Sequence, residues 1–481
     1  MGTSSVRTLL FDPCGEEQPG FGQHLTYEIK ATHDGGVEAD PEALLRLCIQ
    51  SLTAIHGQLQ AAGIRPAAVA FDTFWHSFLG VDRAGAPTTP LLHLFDTRST
   101  PQAAELAGRL DAPRVHARTG CRLHPSYWPA KLLWLSEKRP DAFAAAERWM
   151  SFGEFLFLRF FGDPVASTSM VSGSGLWLQS ANVYDPEILD ALPVKPAQLY
   201  PPSGMDRAPD QLLAPYRSQW PLLHGVPWFP ALGDGACNSL GSGCTTVKEF
   251  ALMVGTSGAM RAVIQADSVA IPDGLWCYRV DRQRFILGGA LSNGGDVYAW
   301  GRRTLQLPSP EDTERELLKR PPGAHGLVLL PFFAGERSPY WRADLRAAVT
   351  GMDLSTGPID ILQAALESVA LRFRQIFDLM SSSLATPRQV IASGGALLAS
   401  PAWTRMMPDA LGMAVSPCLE PEATSRGAAL LALERLGAIP CVAGFAAKLG
   451  PPDDPVPGHA KAYADLQAAQ SKLFEKLYLQ P

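Results

Sequence analysis

The clearest pattern in the chain is the apolar spacing Leu362, Leu366, Val369, Phe373, Ile376 and Met380, which alternates four and three residues and puts six side chains on one helical face. Residues 389–392 then read as a short buried strand, Gly394-Gly395 as a turn, and Ser400 with Pro401 as the cap and first position of a helix. A strand at 414–416 and a helix over 423–436, closed by Gly437, continue the alternation. Strand, glycine turn and helix in repetition predict an α/β architecture. In the first half, residues 67–71 predict a strand and residues 91–95 a second one after a Pro-rich turn. Helical period appears over 130–137 and 141–149. A Pro- and Gly-rich stretch over 193–230 predicts a domain boundary near residue 232.

A short internal repeat joins the halves. Gly2-Thr3-Ser4-Ser5 followed by an apolar run parallels Gly255-Thr256-Ser257-Gly258 followed by another. The second copy is preceded by the apolar strand 250–254, so it predicts a hairpin. The first copy begins almost at its turn, so the first half reads as one strand short.

Bulk properties narrow the function classes. The 481 residues are 46% hydrophobic and 18% charged, with a net charge of -6 and no long run of either sign. That composition predicts a folded protein with a large core and gives nothing to recruit nucleic acid. The first residues hold too short an apolar run for a signal peptide or membrane span, so a cytoplasmic protein is expected. Eight Cys lie scattered without CxxC pairs, arguing against a zinc site or a disulfide framework.

The chain has neither a GxxxxGK[ST] loop nor a GxGxxG after a strand. Four other glycine turns are candidates for a phosphate cradle: Gly2-Thr3-Ser4-Ser5, Gly255-Thr256-Ser257-Gly258, Gly288-Gly289 with Gly294-Gly295, and Gly394-Gly395-Ala396. Bare backbone lets N–H groups approach an anion, and the hydroxyls add donors. Asp234 stands between Gly233 and Gly235 at the start of a small-residue helix. It is either an N-cap or a general base with open space around it. Trp75, His76 and neighbouring aromatics, with Asp96, Arg98 and Tyr127, form a candidate sugar wall, since rings take C–H faces and polar groups take hydroxyls.

These residues resemble the FGGY carbohydrate kinases over essentially the whole chain. Gly233-Asp234-Gly235-Ala236-Cys237-Asn238 looks like the catalytic-base segment, and Val254-Gly255-Thr256-Ser257-Gly258 like the phosphate hairpin. The segment from Pro331 to Pro339 and Ser393-Gly394-Gly395-Ala396 resemble the C-terminal signatures. The resemblance implies two actin- and hexokinase-type (ribonuclease H-like) domains around an ATP cleft. The N-terminal domain, 1–232, would hold the sugar and the C-terminal domain, 233–481, the nucleotide. It implies ATP and Mg²⁺ as cofactors, the metal's ligands being undetermined, and Asp234 as general base. Trp75, His76, Asp96, Arg98 and Tyr127 fall on substrate positions, and Gly2, Thr3, Ser4, Gly255, Thr256, Gly295, Gly394, Gly395 and Ala396 on nucleotide positions. Within the family the motifs look most like gluconokinases, which makes gluconate the first substrate, and a homodimer is left open. Two features depart from the family pattern. The first strand and its acidic residue are absent before Gly2, and Leu94 replaces a Trp. The first departure keeps a second reading open, a sugar-binding pseudokinase with impaired catalysis. An actin-like ATPase without an acceptor is the third.

Overall fold

The computed structural model describes residues 1–481 apart from Thr3, Gly204, Asp206, Gln480 and Pro481. In the first half, β1 (Ser5–Phe11) and β2 (Glu17–Thr26) form an antiparallel hairpin. Helix α1 (Pro41–Ala62) packs on it through Leu44, Leu45, Leu52, Ile55 and Leu59. Asp40 caps α1 by accepting the Glu42 N–H, and Gly63 ends it in the left-handed region that favours glycine. The strand expected over 67–71 is displaced: Val69 makes a single bridge to Trp228, and the ladder begins only at β3 (Asp72–Thr73). β3 runs parallel to β4 (Leu232–Gly233). The chain's own 227–233 segment thus supplies the partner, a non-local pairing that local pattern does not reveal. An apolar groove of about 460 Å³ runs between β1, α1 and residues 66–73.

Two other first-half expectations change. The predicted 91–95 strand pairs only at Leu91–Leu92 before turning toward the cavity described below. The helix expected over 141–149 stops at Ala145, and Arg148–Met150 pairs with Leu79–Val81. Trp149 and Met150 are both fully buried, and a short apolar run reads equally well in either period. Helix α2 (Trp128–Lys138) forms where expected, and α3 (Phe152–Phe161) and α4 (Asp234–Gly241) follow it along the chain.

The second half holds a six-stranded sheet. Its strands are β5 (Glu249–Val254), β6 (Gly258–Gln265), β7 (Trp276–Arg279), β8 (Arg284–Leu291), β9 (Gln389–Ser393) and β10 (Val415–Pro417), in the order β7-β8-β6-β5-β9-β10. The first four pair antiparallel and the last two parallel, so β5 lies between its hairpin partner and β9. Helix α5 (Gly295–Thr304) follows β8.

Helix α6 (Pro358–Leu384) covers this sheet, and its six predicted apolar residues are all completely buried. Each such burial contributes about 1.5–3 kcal/mol. The helix approaches closely because Gly258 and Gly289 carry no side chain there. A Cβ would stand 2.6 Å from the Phe373 ring at the first and 2.7 Å from Ile376 at the second. Gly288 and Gly289 therefore lie inside a strand under α6 and are not part of a phosphate turn. Helix α7 (Pro401–Leu411) is capped by Ser400, which accepts the Trp403 N–H, and α8 (Ala423–Arg435) ends one turn position earlier than expected.

The halves meet where β4 runs into a short helix, Asp234–Gly241, which packs against α8. At that crossing a Cβ on Gly241 would stand 1.7 Å from the Ala423 carbonyl oxygen, and one on Gly427 1.9 Å from the Cys237 carbonyl oxygen. The backbones touch, and that contact fixes the helix bearing Asp234. All eight cysteines are free, six of them buried and Cys14 and Cys441 exposed.

Candidate active site

Two cavities open on either side of the β5–β6 hairpin. Gly255 and Thr256 border both. The smaller, about 200 Å³, is walled by Trp75, His76, Leu94, Phe95, Ser126, Tyr127, Asp234, Arg261, Trp276, Tyr278, Arg337 and Trp341. The larger, about 550 Å³, is walled by Gly295, Asp296, Trp300, Arg303, Phe333, Ala334 and Ala396.

Asp234 is the first residue of its helix, with Gly233 in the capping position, so the N-cap reading does not apply. Its Oδ1 accepts the neighbouring Gly235 N–H at 2.8 Å. Burial raises its pKa above the ordinary carboxylate range and the nearby Asp72 adds to the rise, while Arg261 opposes it. The helix N-terminus favours negative charge at this position, and the raised pKa makes the carboxylate a better base than one in water. The glycines beside it do not leave empty space. A Cβ on Gly233 would stand 1.9 Å from the Trp75 ring, and Gly235 faces both that ring and the Arg261 guanidinium.

Trp75 is fixed by donating Nε1–H to the Ser169 carbonyl at 2.8 Å. His76 has a left-handed backbone, φ 67°, and its Nδ1 lies 2.6 Å from the Gly173 carbonyl, so that nitrogen carries the proton and donates. Tyr127 and Tyr278 join through their hydroxyls at 2.6 Å, and His76 meets both rings edge-on at 5.2 Å. The result is an aromatic chamber drawn from both halves of the chain.

Three of the five expected substrate residues, Trp75, His76 and Tyr127, line this chamber. Asp96 and Arg98 do not. They pair with one another at 2.6 Å, Arg98 reaches Glu38 at 2.9 Å, and Asp96 accepts the Val37 N–H. Leu94 and Phe95, on the turn before them, reach the cavity instead. On the nucleotide side Gly255, Thr256, Gly295 and Ala396 border the larger cleft. Gly394 (φ 96°) packs onto the Val254 carbonyl and, with Gly395, shapes the β9-to-helix turn behind Ala396. Gly2 and Ser4 border neither cavity, and Thr3 lies outside the described residues. Tyr27 holds this turn through its N–H to the Ser4 carbonyl and its hydroxyl to that of Gly2.

Sequence reasoning missed Arg261, Trp276, Tyr278, Arg337 and Trp341. A period-2 signal was present, since Trp276 and Tyr278 share one face of β7, and Ala259 and Arg261 one face of β6. A charged residue inside an otherwise apolar strand was the clue. No group of three or more His, Cys, Asp or Glu able to hold a metal occurs among the described residues.

His76, His93 and His124 each have a pKa pushed down to about 3, first of all by burial. They are neutral in the folded chain near pH 7. Because the unfolded chain binds protons at about 6.5, stability is present above that pH and is lost as pH falls toward 3. Thermal unfolding from pH 7.5 to 4.5 should show a midpoint that is flat at first and then drops steeply below about 6.5. A flat midpoint down to pH 4.5 would show that these imidazoles are not buried neutral.

The family assignment now has its geometry. Residues 1–241 match the model for the N-terminal domain of the FGGY family of carbohydrate kinases, and residues 250–434 that for its C-terminal domain. The chain belongs to the FGGY family of carbohydrate kinases. It is 25% identical over 499 residues to a gluconokinase of Bacillus subtilis (strain 168), covering 100% of this chain and 96% of that one. It is 21% identical to a xylulose kinase of Staphylococcus xylosus, over 90% of this chain and 89% of the other. Among solved structures, a gluconate kinase from Lactobacillus acidophilus superposes with a TM-score of 0.90 at 24% identity, covering 99% and 96% of the two chains. A Plasmodium falciparum glycerol kinase with ADP superposes at 0.84 and 17% identity, covering 100% and 97%. The two-domain α/β kinase fold is thereby established, and membership of this FGGY family makes the chain a phosphotransferase that uses ATP on a carbohydrate. No described helix is long and apolar enough to cross a membrane.

Proposed function

We propose that this FGGY kinase transfers the γ-phosphate of ATP to a hydroxyl of a small sugar acid, gluconate first, with Asp234 as general base. The observation that carries the reading is the pair of cavities meeting at Gly255 and Thr256, with the Asp234 carboxylate on the small, aromatic side. A hydroxyl in the smaller chamber stands beside the base, and a triphosphate in the larger cleft reaches the same hairpin tip. As the new O–P bond forms and the bond to ADP breaks, Asp234 accepts the hydroxyl proton. The aromatic walls exclude water and orient the sugar, so the chemistry is mainly positioning. Gluconate is favoured by the likeness to gluconokinases, and by an excess of positive charge in the chamber.

Mg²⁺ would neutralise phosphate charge in such a reaction. Asp72 and Asp234, close enough for one to raise the other's pKa, are hard oxygen donors suited to the ion or its waters. The Asp72 carboxylate accepts the Met1 amine at 3.2 Å. A cytoplasmic location goes with this reading, as does a division near residue 232, where β4 runs into the helix bearing Asp234. The domain models themselves part between 241 and 250.

Coupled ADP release with MgATP should be fastest with gluconate in a panel including glycerol, xylulose, ribulose and fucose. The impaired-catalysis reading has no observation of its own in the site. It would show as a sugar that raises the melting temperature while no member of the panel releases ADP.

A further inference from the structure

The smaller chamber is unusual in its charge. Among the titratable groups that border it, Asp234 is the one carboxylate, whereas Arg261 and Arg337 are two guanidiniums. His76 adds no charge, because burial keeps it neutral near pH 7. Each arginine has a buried nitrogen without any hydrogen-bond partner, Nη1 of Arg261 and Nε of Arg337. A buried donor left unmade costs a substantial part of its desolvation, so two in one cavity mark the place of an acceptor that arrives from outside.

The two side chains are held differently. Arg337 donates Nη2–H to the Leu291 carbonyl at 2.7 Å and faces the Phe95 ring at 5.7 Å. Its segment is anchored next door, where Glu336 ion-pairs with Arg372 of α6. Arg261 has no such tether. It rises from β6 with its guanidinium 3.2 Å from the point where a Gly235 Cβ would stand, beside Trp75 and one residue from Asp234. Arg261 is therefore the freer donor, and Arg337 a fixed second arm. Asp234 cannot neutralise both and still receive a proton from substrate. Burial first of all, and then repulsion from Arg337, lower the Arg261 pKa to about 10, so an added anion would be stabilising.

We propose that Arg261, seconded by Arg337, binds the carboxylate of an aldonate substrate and so makes this chamber select sugar acids over neutral polyols. The proposal rests on the kinase reading above and adds the residues that decide substrate class. Arginine suits the task because its planar fork matches a carboxylate with two parallel hydrogen bonds. A neutral polyol of the same length would leave both buried donors unpaired, the situation in which a polar site discriminates most strongly.

The test compares gluconate with glucitol, the same six-carbon chain with CH₂OH in place of the carboxylate, by calorimetric binding without nucleotide. The wild-type chain should bind gluconate tighter by about 10- to 100-fold, as a charge-assisted hydrogen bond implies. Arg261→Gln should remove most of that ratio, Arg337→Gln a smaller part, and Arg261→Lys should keep more of it than Arg261→Gln. A wild-type chain that binds the two equally overturns the proposal even if no variant folds. So does a ratio that survives Arg261→Gln, or an Arg261→Gln effect confined to the KM for ATP, which would place the arginine on the phosphates. Loss of ADP release with every sugar would instead defeat the kinase reading, and the binding ratio would still be measurable.

Discussion

Asp234→Asn should lower kcat by about 10²- to 10⁴-fold while the calorimetric affinity for sugar changes only a few-fold. Asparagine keeps the size of the side chain and an oxygen to accept the Gly235 N–H, so the helix start is preserved. What it removes is the proton acceptor. The loss corresponds to about 3–5.5 kcal/mol of transition-state stabilisation, larger than any single contact in the chamber should supply. Because burial raises the pKa of this carboxylate, the acidic limb of the kcat/KM profile should lie above the ordinary carboxylate range. Replacing Arg261 by Gln removes the charge that opposes that rise, so the limb should move further up. Unchanged turnover in Asp234→Asn would exclude this residue as the base. A proportional loss of sugar affinity would make it a binding group instead.

The second large effect comes from glycines that touch no ligand. Gly427→Ala and Gly241→Ala should each destabilise the fold by about 1–3 kcal/mol or more and lower activity with it. Their added methyls would stand within 2 Å of carbonyl oxygens on the facing helix, which is backbone and cannot rotate aside. The helices must separate, and the first of them carries Asp234 at its start. The double variant should cost less than the sum, since one separation relieves both clashes. Gly57→Ala in α1 is the contrasting case: nothing lies within 4 Å of its Cβ position and the site is exposed, so the methyl should stabilise by about 0.5–1 kcal/mol. Thermal or urea unfolding of the variants measures these signs. An undiminished midpoint for Gly427→Ala would mean that the two helices are not in backbone contact.

Much of the second half was legible because its signals are local. The 3.6 period of α6, the Ser400-Pro401 start of α7 and the glycine hairpin at 255–258 each depend on residues within a few positions of one another. The motif around Asp234 was readable for the same reason. The first half was less legible. Its strand at 72–73 forms only because 232–233 comes alongside from far away in sequence, and its 148–150 strand only because Leu79–Val81 is there to pair.

The sequence by itself thus determined the fold class and the family, and it singled out Asp234 and the 255–258 hairpin, since these are written in short runs of glycines, hydroxyls and one acid. Tertiary structure alone decided which residues share the smaller chamber. It excluded Asp96 and Arg98, which satisfy each other two residues apart, and it brought in Trp276, Tyr278, Arg261 and Arg337 from the second half. A pattern along the chain records which faces are apolar and which turns are tight. It does not record which buried charges find a partner within the fold and which are left facing a cavity, because that depends on how distant segments close around it.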